Sequence, residues 1–462
     1  MNKNTIKKSI AGDPKNGIAG LQEDWWTEIA PDLWNSHGSY LKEVTGEEYL
    51  DVCGFLASAP IRFDHPRLKD DAFVQKLGRA GIYRPSLADF WTLELADFVN
   101  TLREVATPTY LHHYFFIEGG SLAVENALKA AFDWKVRLNI QKGKIKGDPQ
   151  EEKRPMGTKV IGFESAFHGR SGYTMSITHT NDPNKYKYFP KHDWFRIDPP
   201  VLQFDNKGNI SNQKEVETQE KKAIEKIQNI LKEQVDDIAA ILIEPIQCEG
   251  GDRHIPTSFF KMLRKLATEN DIILIYDEVQ TGFGTTGKIW AHEHFGPDAQ
   301  PDIIVFSKKA QVGGIMANYD VFSRVPENVF GNENACKSRL NSTWGGNPVD
   351  MVRSTEFLKI IKKDNLIQNV QSVGDFLLKG IQDLCQDFDS LIGNPRGKGM
   401  LLAFDAHQPE MKPKIWQAFK EELLLCLVCG SRTIRFRPHL DMTMEEAEEA
   451  LHRAKKGLTK LS

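Results

Sequence analysis

Short, nearly continuous apolar runs alternate with longer segments in which apolar residues recur every three or four positions, and this alternation organises the middle of the chain. Runs at 113–117, 160–163, 238–243, 272–276 and 303–307 read as buried strands. Helical patterns lie between several of them, including 121–136 after the first run and 257–269 ahead of 272. Apolar strands that alternate with helices predict a largely parallel sheet covered on both faces. The C-terminal part reads differently. A long helical stretch at 350–388 leads to a glycine-bounded segment at 393–399 and a strand at 400–404. A helix at 414–422, strands at 423–428 and 433–436 and a last helix from Thr443 follow. Near the N-terminus, 40–41 and 48–52 flank a turn at Thr45-Gly46 and predict a β-hairpin. The expected class is α/β, with a large, mostly parallel-sheet domain at 76–348 and a smaller α/β domain built from both termini, 1–75 and 349–462. The polar, glycine-containing stretch 142–157 reads as an insertion loop, and no internal repeat is present.

Composition narrows the function classes. With 462 residues, 40% of them hydrophobic, the chain can bury a large core and is too long for one simple domain. A net charge of -4 and a pI near 6.4 give no surface for nucleic acid or an anionic membrane. The charged runs 142–154 and 213–232 mix both signs and read as a solvated loop and a solvated helix face. The cysteines Cys53, Cys248, Cys336, Cys385, Cys426 and Cys429 are scattered, as free thiols in a reducing compartment would be. Cys426 and Cys429 make a CxxC without a second pair; it falls in an apolar run and reads as buried strand before zinc or redox site. Residues 1–20 carry lysines but no apolar core of a secretory signal, and no run approaches the roughly 18 apolar residues of a membrane span. The expected location is the cytoplasm.

The chemistry sits at strand ends. Tyr276-Asp277-Glu278-Val279-Gln280 places an acid at the end of a buried strand, where it is costly unless paired. Alone, Asp277 also reads as a helix cap or a salt-bridge partner. The next apolar run ends in Lys308-Lys309. A desolvated lysine at a strand end has a lowered pKa and is a nucleophile for Schiff-base chemistry. A lysine and a carboxylate are the pair that pyridoxal phosphate (PLP) requires, the first for its aldehyde and the second for its ring nitrogen. Glu118-Gly119-Gly120-Ser121, between an apolar strand and a long helix, lets backbone N–H groups approach a phosphate, though a plain tight turn has the same look. Ser165-Ala166-Phe167-His168-Gly169-Arg170 follows the next strand and offers an aromatic ring and a carboxylate-binding guanidinium.

These segments together resemble the class III (omega) aminotransferases of PLP fold type I, and within them the lysine branch. The resemblance rests on GGSLAVENALKAAFDWK, AFHGRSGYTMSIT, EPIQCEGGDRH, DEVQTGFGTTGKIWA, SKKAQVGGIMA, SRLNSTWGGNPVDMVRS and IRFRPHL, and runs from about residue 36 to the C-terminus. DEVQTG marks the wider class; SKKAQVGG and RLNSTWGGN mark the lysine branch. It implies that Lys308 forms the aldimine and shuttles the proton, with Lys309 the competitor on sequence alone. It implies that Asp277 pairs with the pyridine nitrogen, Gln280 bonds the phenolic oxygen and Phe167 stacks on the ring, with His168 and Glu244 also around the cofactor. Gly120 and Ser121 would bind the phosphate, joined by Thr343 from a second subunit, so a homodimer with shared active sites is implied. For substrate, Arg435 would grip the α-carboxylate of 2-oxoglutarate, and Glu249 would neutralise Arg435 while the amine donor is bound. Arg170 would hold the far carboxylate, with Asn341 also at the substrate.

The implied reaction takes the terminal amino group of L-lysine to 2-oxoglutarate. Other omega-amine donors, ornithine or 4-aminobutyrate, are the alternative within the class. An aminomutase or decarboxylase has no use for the Glu249–Arg435 pair, and a non-catalytic PLP-fold binding protein predicts loss of Lys308 or Asp277. The chain departs from the branch at Cys248, in place of a glycine, and in FSKKAQVGG. It departs again at Ala59, Arg62 and Leu87-Ala88, in segments that can border a substrate pocket. Arg62 reads either as a surface residue or as a new carboxylate contact.

Overall fold

The computed structural model describes residues 29–146, 155–331 and 339–462; residues 1–28, the centre of the expected insertion loop and Cys336 lie outside them. The central sheet has seven strands: β1 (His113–Ile117), β2 (Lys159–Phe163), β3 (Phe195–Ile197), β4 (Ile238–Ile243), β5 (Ile273–Asp277), β6 (Ile303–Phe306) and β7 (Gly313–Ala317). Their spatial order is β1-β7-β6-β5-β4-β2-β3, and every pairing is parallel except the two made by β7. Strands β4 and β5 are buried along their whole length, which explains their unbroken apolar sequence. Alternate residues still face opposite sides. Ile273 and Ile275 pack with the alanine-rich face of helix α1 (Gly120–Gln141), whose Ala123, Ala127, Ala130 and Ala131 bring it close to the sheet. Leu274 and Tyr276 pack instead with Phe259, Phe260 and Leu263 of the helix Thr257–Glu269.

The strand assignments inside this sheet were readable, but β3 and β7 were not expected. The first is three residues long, and the second opens on two glycines. β7 follows β6 through the tight reversal 307–312, and that reversal carries Lys308.

In the C-terminal part, Ile392–Lys398, Leu401–Ala406, Thr433–Phe436 and Leu427–Cys429 form, in that order, a four-stranded antiparallel sheet. The expected helical stretch 350–388 is two helices, Pro348–Lys363 and Leu366–Asp387, broken where Asn365 takes φ +52°, a conformation asparagine tolerates better than most residues. The expected strand 423–428 also divides. Leu424–Leu425 pairs with Glu48–Asp51 of the N-terminal hairpin, whereas Leu427–Cys429 pairs with Thr433–Phe436. Between them the Cys426 carbonyl accepts from Trp416 Nε1 at 3.2 Å, so the chain turns from one sheet to the other there. Cys426 and Cys429 are both buried in this region. Arg62 is partly exposed and makes carboxylate contacts within the protein, hydrogen-bonding Glu446 at 3.1 Å and approaching Asp441 at 3.5 Å, which ties the N-terminal segment to the residues around the start of the last helix. Among the described residues no helix is long and apolar enough to cross a membrane.

Beneath the end of β6, Trp290 is 1% exposed, lies 5.9 Å from the Phe306 ring and donates Nε1–H to the Ala106 carbonyl at 2.5 Å. Trp290→Ala empties this space and orphans that carbonyl. It should destabilise the protein by about 3–5 kcal/mol, read as a clearly lowered thermal midpoint; an unchanged midpoint would show that the core closes around the gap.

Candidate active site

A parallel sheet delivers the carboxyl ends of its strands to one edge. Here that edge opens into a cavity of about 610 Å³ lined by Gly120, Ser121, Phe167, His168, Arg170, Glu244, Glu249, Asp277, Gln280, Lys308 and Arg435, together with Leu56, Gly169, Lys185, Val279, Leu427 and Val428. Of the cofactor and substrate contacts that the resemblance implies, Asn341 and Thr343 lie outside it, on an exposed stretch where Asn341 Nδ2 meets Asp89 at 3.3 Å.

Asp277 ends β5 and is 5% exposed. One of its oxygens meets His168 Nδ1 at 2.7 Å and the other accepts from Val279 N at 3.0 Å. His168 Nε2 is buried and has no hydrogen-bond partner among the described residues. Between the two strands involved, Glu244 follows β4 and accepts from Phe167 N at 3.0 Å and from Cys248 N at 3.1 Å. Burial raises its carboxyl to about 7; the nearby His168 opposes that rise and Asp277 adds to it. Glu244 therefore fixes both the loop that carries Phe167 and the ribbon that carries Glu249.

Lys308 stands in the β6–β7 reversal at φ +49°, a strained value for a non-glycine residue of the kind that collects at functional sites. Its Nζ donates to the Leu56 carbonyl at 2.9 Å. That carbonyl is presented by Phe55, Leu56 and Ala57, three successive residues with φ between 47° and 65°. Burial, helped by the charge of Arg435, lowers the Lys308 amine to about 8. Lys309 is turned away: its Nζ donates to Ala59 O at 3.2 Å and it does not line the cavity.

In the same cavity Arg435 Nη2 donates to Glu249 Oε2 at 3.0 Å, and Lys185 Nζ donates to Glu249 Oε1 at 2.7 Å. Although burial works against it, these two cations hold the Glu249 carboxyl below its usual value. Glu249 occupies the turn of a ribbon formed by Ile246–Gln247 and Arg253–His254. Gly250 in that turn has no room for a side chain, since a Cβ would sit 2.3 Å from the Ser165 carbonyl. Gln280 Oε1 accepts from Arg435 Nη1 at 3.3 Å and from Arg437 Nε at 3.2 Å. Arg437 is fully buried and pairs with Asp252. Sequence reasoning missed Lys185, which lies in a lysine-rich polar stretch with the look of a surface loop, and Val279, whose neighbours in the motif drew the attention. Of the departures, Cys248 is buried next to Glu249 in the chain, Leu87 is buried in the core, and neither Ala59 nor Arg62 lines the cavity.

The residues fit PLP. The first turn of α1 points into the cavity with no side-chain cap on its N–H groups, as a phosphate site requires, and a Cβ on Gly120 would press to 2.8 Å from Val279. Phe167 and Val279 offer apolar surface for a ring, with Asp277 and Lys308 supplying the two groups a pyridine aldehyde needs. The fold and this set of groups define a PLP-dependent transferase of fold type I. The chain matches the family Aminotransferase class-III over residues 24–458 and belongs to it; it is a PLP-dependent aminotransferase. It is 41% identical to the L-lysine-epsilon aminotransferase of Mycobacterium tuberculosis over 439 residues, covering 93% of this chain and 92% of that one. It is 37% identical to the enzyme of the same name from Streptomyces clavuligerus over 436 residues, covering 94% and 91%. A solved lysine aminotransferase from M. tuberculosis superposes with a TM-score of 0.90 at 36% identity, with 100% of each chain covered.

The neutral amine is the nucleophile toward an aldehyde, so apoprotein should take up PLP faster as pH rises and level off above about pH 8, where Lys308 is mostly deprotonated. Stopped-flow absorbance measures this. A rate that keeps climbing toward the ordinary lysine value would show that Lys308 is not depressed.

Proposed function

We propose that the protein transfers the terminal amino group of L-lysine to 2-oxoglutarate, giving 2-aminoadipate 6-semialdehyde and L-glutamate. The observation that carries this reading is Glu249 paired with Arg435 inside the cavity that holds Lys308 and Asp277. Lysine brings to the reacting position a methylene without a carboxylate, and 2-oxoglutarate brings a carbon that bears one. With Glu249 against it, Arg435 is neutralised and tolerates the first; with Glu249 displaced, its guanidinium fork suits the second. Both substrates carry a carboxylate at the remote end, and Arg170, which lines the cavity and is exposed, would receive it in this reading. The names of the relatives favour lysine as the donor over ornithine or 4-aminobutyrate.

Bound in the cavity, PLP supplies a sink for the electron pair left when the substrate carbon loses its proton. In this reading Lys308 would move that proton, and Asp277, oriented by His168 and by the Val279 N–H, would pair with the ring nitrogen. Gln280 spends its oxygen on two arginines and keeps its amide N–H groups for the phenolic oxygen. Gly120 and Ser121, in the first turn of α1 where no side chain caps the helix among the described residues, would offer backbone N–H groups to the phosphate.

The protein acts as a homodimer in this reading. Tyr83 (78%), Phe90 (67%), Trp91 (90%) and Leu93 (85%) form an exposed apolar stretch, and Trp344 (54%) adjoins Thr343 and Asn341, which the partner copy would bring to the cavity. A cytoplasmic location accords with the described cysteines, all of them unpaired.

Incubation with L-lysine and 2-oxoglutarate should yield the cyclic imine of the semialdehyde, detected by mass; turnover of ornithine or 4-aminobutyrate without that product would overturn lysine as donor. Lys308→Ala should abolish turnover, and surviving activity would shift the assignment to Lys309. Arg435→Met removes a buried partner for the acceptor carboxylate, a loss of about 2–5 kcal/mol. Steady-state kinetics should show KM for 2-oxoglutarate raised by roughly thirtyfold or more.

A further inference from the structure

Glu249 is held by two cations that sit at different depths. The Arg435 side chain is 6% exposed, whereas those of Glu249 and Lys185 are 24% and 20% exposed. Lys185 comes from the short turn Pro183–Lys185, on a different element from the Arg435 strand, and its ammonium lies 5.9 Å from the Phe167 ring. The carboxylate is thus divided, with Oε2 on the deep guanidinium and Oε1 on the outer ammonium. A ligand carboxylate that takes Arg435 must displace Glu249. Left alone in a half-buried cavity, that displaced charge would be costly. Lys185 stands on the outward side, where one oxygen can stay bound while the other gives up Arg435.

We propose that Lys185 is a tether for the Glu249 gate, a positioning residue that holds the displaced carboxylate and so frees Arg435 for the acceptor. This rests on the assignment of Arg435 and Glu249 to the dicarboxylate half-reaction. Without Lys185, Arg435 is the one cation hydrogen-bonded to Glu249 among the described residues, and the gate stays shut. The acceptor then loses more than the donor.

The test uses the PLP-loaded enzyme and glutarate, a five-carbon dicarboxylate without the reacting oxo group, titrated by calorimetry. Lys185→Met should weaken glutarate about fivefold, the upper end for a partly exposed ion pair. The ratio of kcat/KM for 2-oxoglutarate to that for lysine should fall by a similar factor, and Lys185→Arg should restore both. In a Glu249→Gln background, where no charge remains to be tethered, Lys185→Met should weaken glutarate no further. If it weakens glutarate equally there, Lys185 contacts the ligand itself and the tether is overturned. Glutarate binding that Lys185→Met leaves unchanged in a folded protein, shown by circular dichroism, overturns the role of Lys185 alone. Absence of glutarate binding to the unsubstituted enzyme overturns the dicarboxylate reading and the tether with it.

Discussion

The hydrogen bond of 2.7 Å between His168 and Asp277 joins the loop after β2 to the end of β5, with β4 running between them. It exists because the three strands are parallel and end at the same edge. An antiparallel neighbour would have sent one of these residues to the far side of the sheet. The same constraint sets Glu244 between the pair, with both its oxygens engaged by backbone N–H groups of the two flanking segments. Cavity walls that belong to separate stretches of sequence are therefore pinned to one another through a single buried carboxylate.

Further out, the site is organised by charge sharing. Gln280 Oε1 accepts from both Arg435 and Arg437, and Arg437 is closed off by Asp252 at the far end of the same turn that holds Glu249. Arg437 has its charge compensated inside the protein, so it forms the floor on which Arg435 is set. Arg435 faces the cavity, and its partner Glu249 is the more exposed member of the pair. In the proposed lysine and 2-oxoglutarate reading, a guanidinium with a fixed floor and a partner that could be displaced would let the site alternately hide and offer one positive charge.

What the sequence showed and what it hid follow from the range of each interaction. The strands 238–243, 273–277 and 303–306 were legible because burial on both faces leaves no polar residue to break the run. Asp277 and Lys308 were legible because each closes such a run. β7 was hidden by its two opening glycines, and the gate ribbon by strands of two residues each, too short to show any period. Lys185 was hidden for another reason. What marks it is a partner 64 residues away, and nothing local in the polar stretch around it records that distance. Arg62 was ambiguous for the same reason, its partner Glu446 lying 384 residues on.

The two adjacent lysines show where acidity stops discriminating and geometry takes over. Burial lowers both amines, Lys308 to about 8 and Lys309 to about 7, with Arg437 and Lys308 adding to the second. Lys309, the more depressed, would be the better nucleophile on that criterion alone. The backbone separates them. At φ +49° the chain leaves the strand path at Lys308 and turns its side chain to the cavity and the Leu56 carbonyl, while Lys309 is carried under the N-terminal segment to the Ala59 carbonyl. A strand continued past Phe306 would have sent these side chains to opposite faces of the sheet. The short reversal into the antiparallel β7 instead places one amine at the mouth of the strand end and shuts the other away. The one antiparallel strand of the sheet, which the sequence did not reveal, is thus the element that decides which lysine the cavity receives.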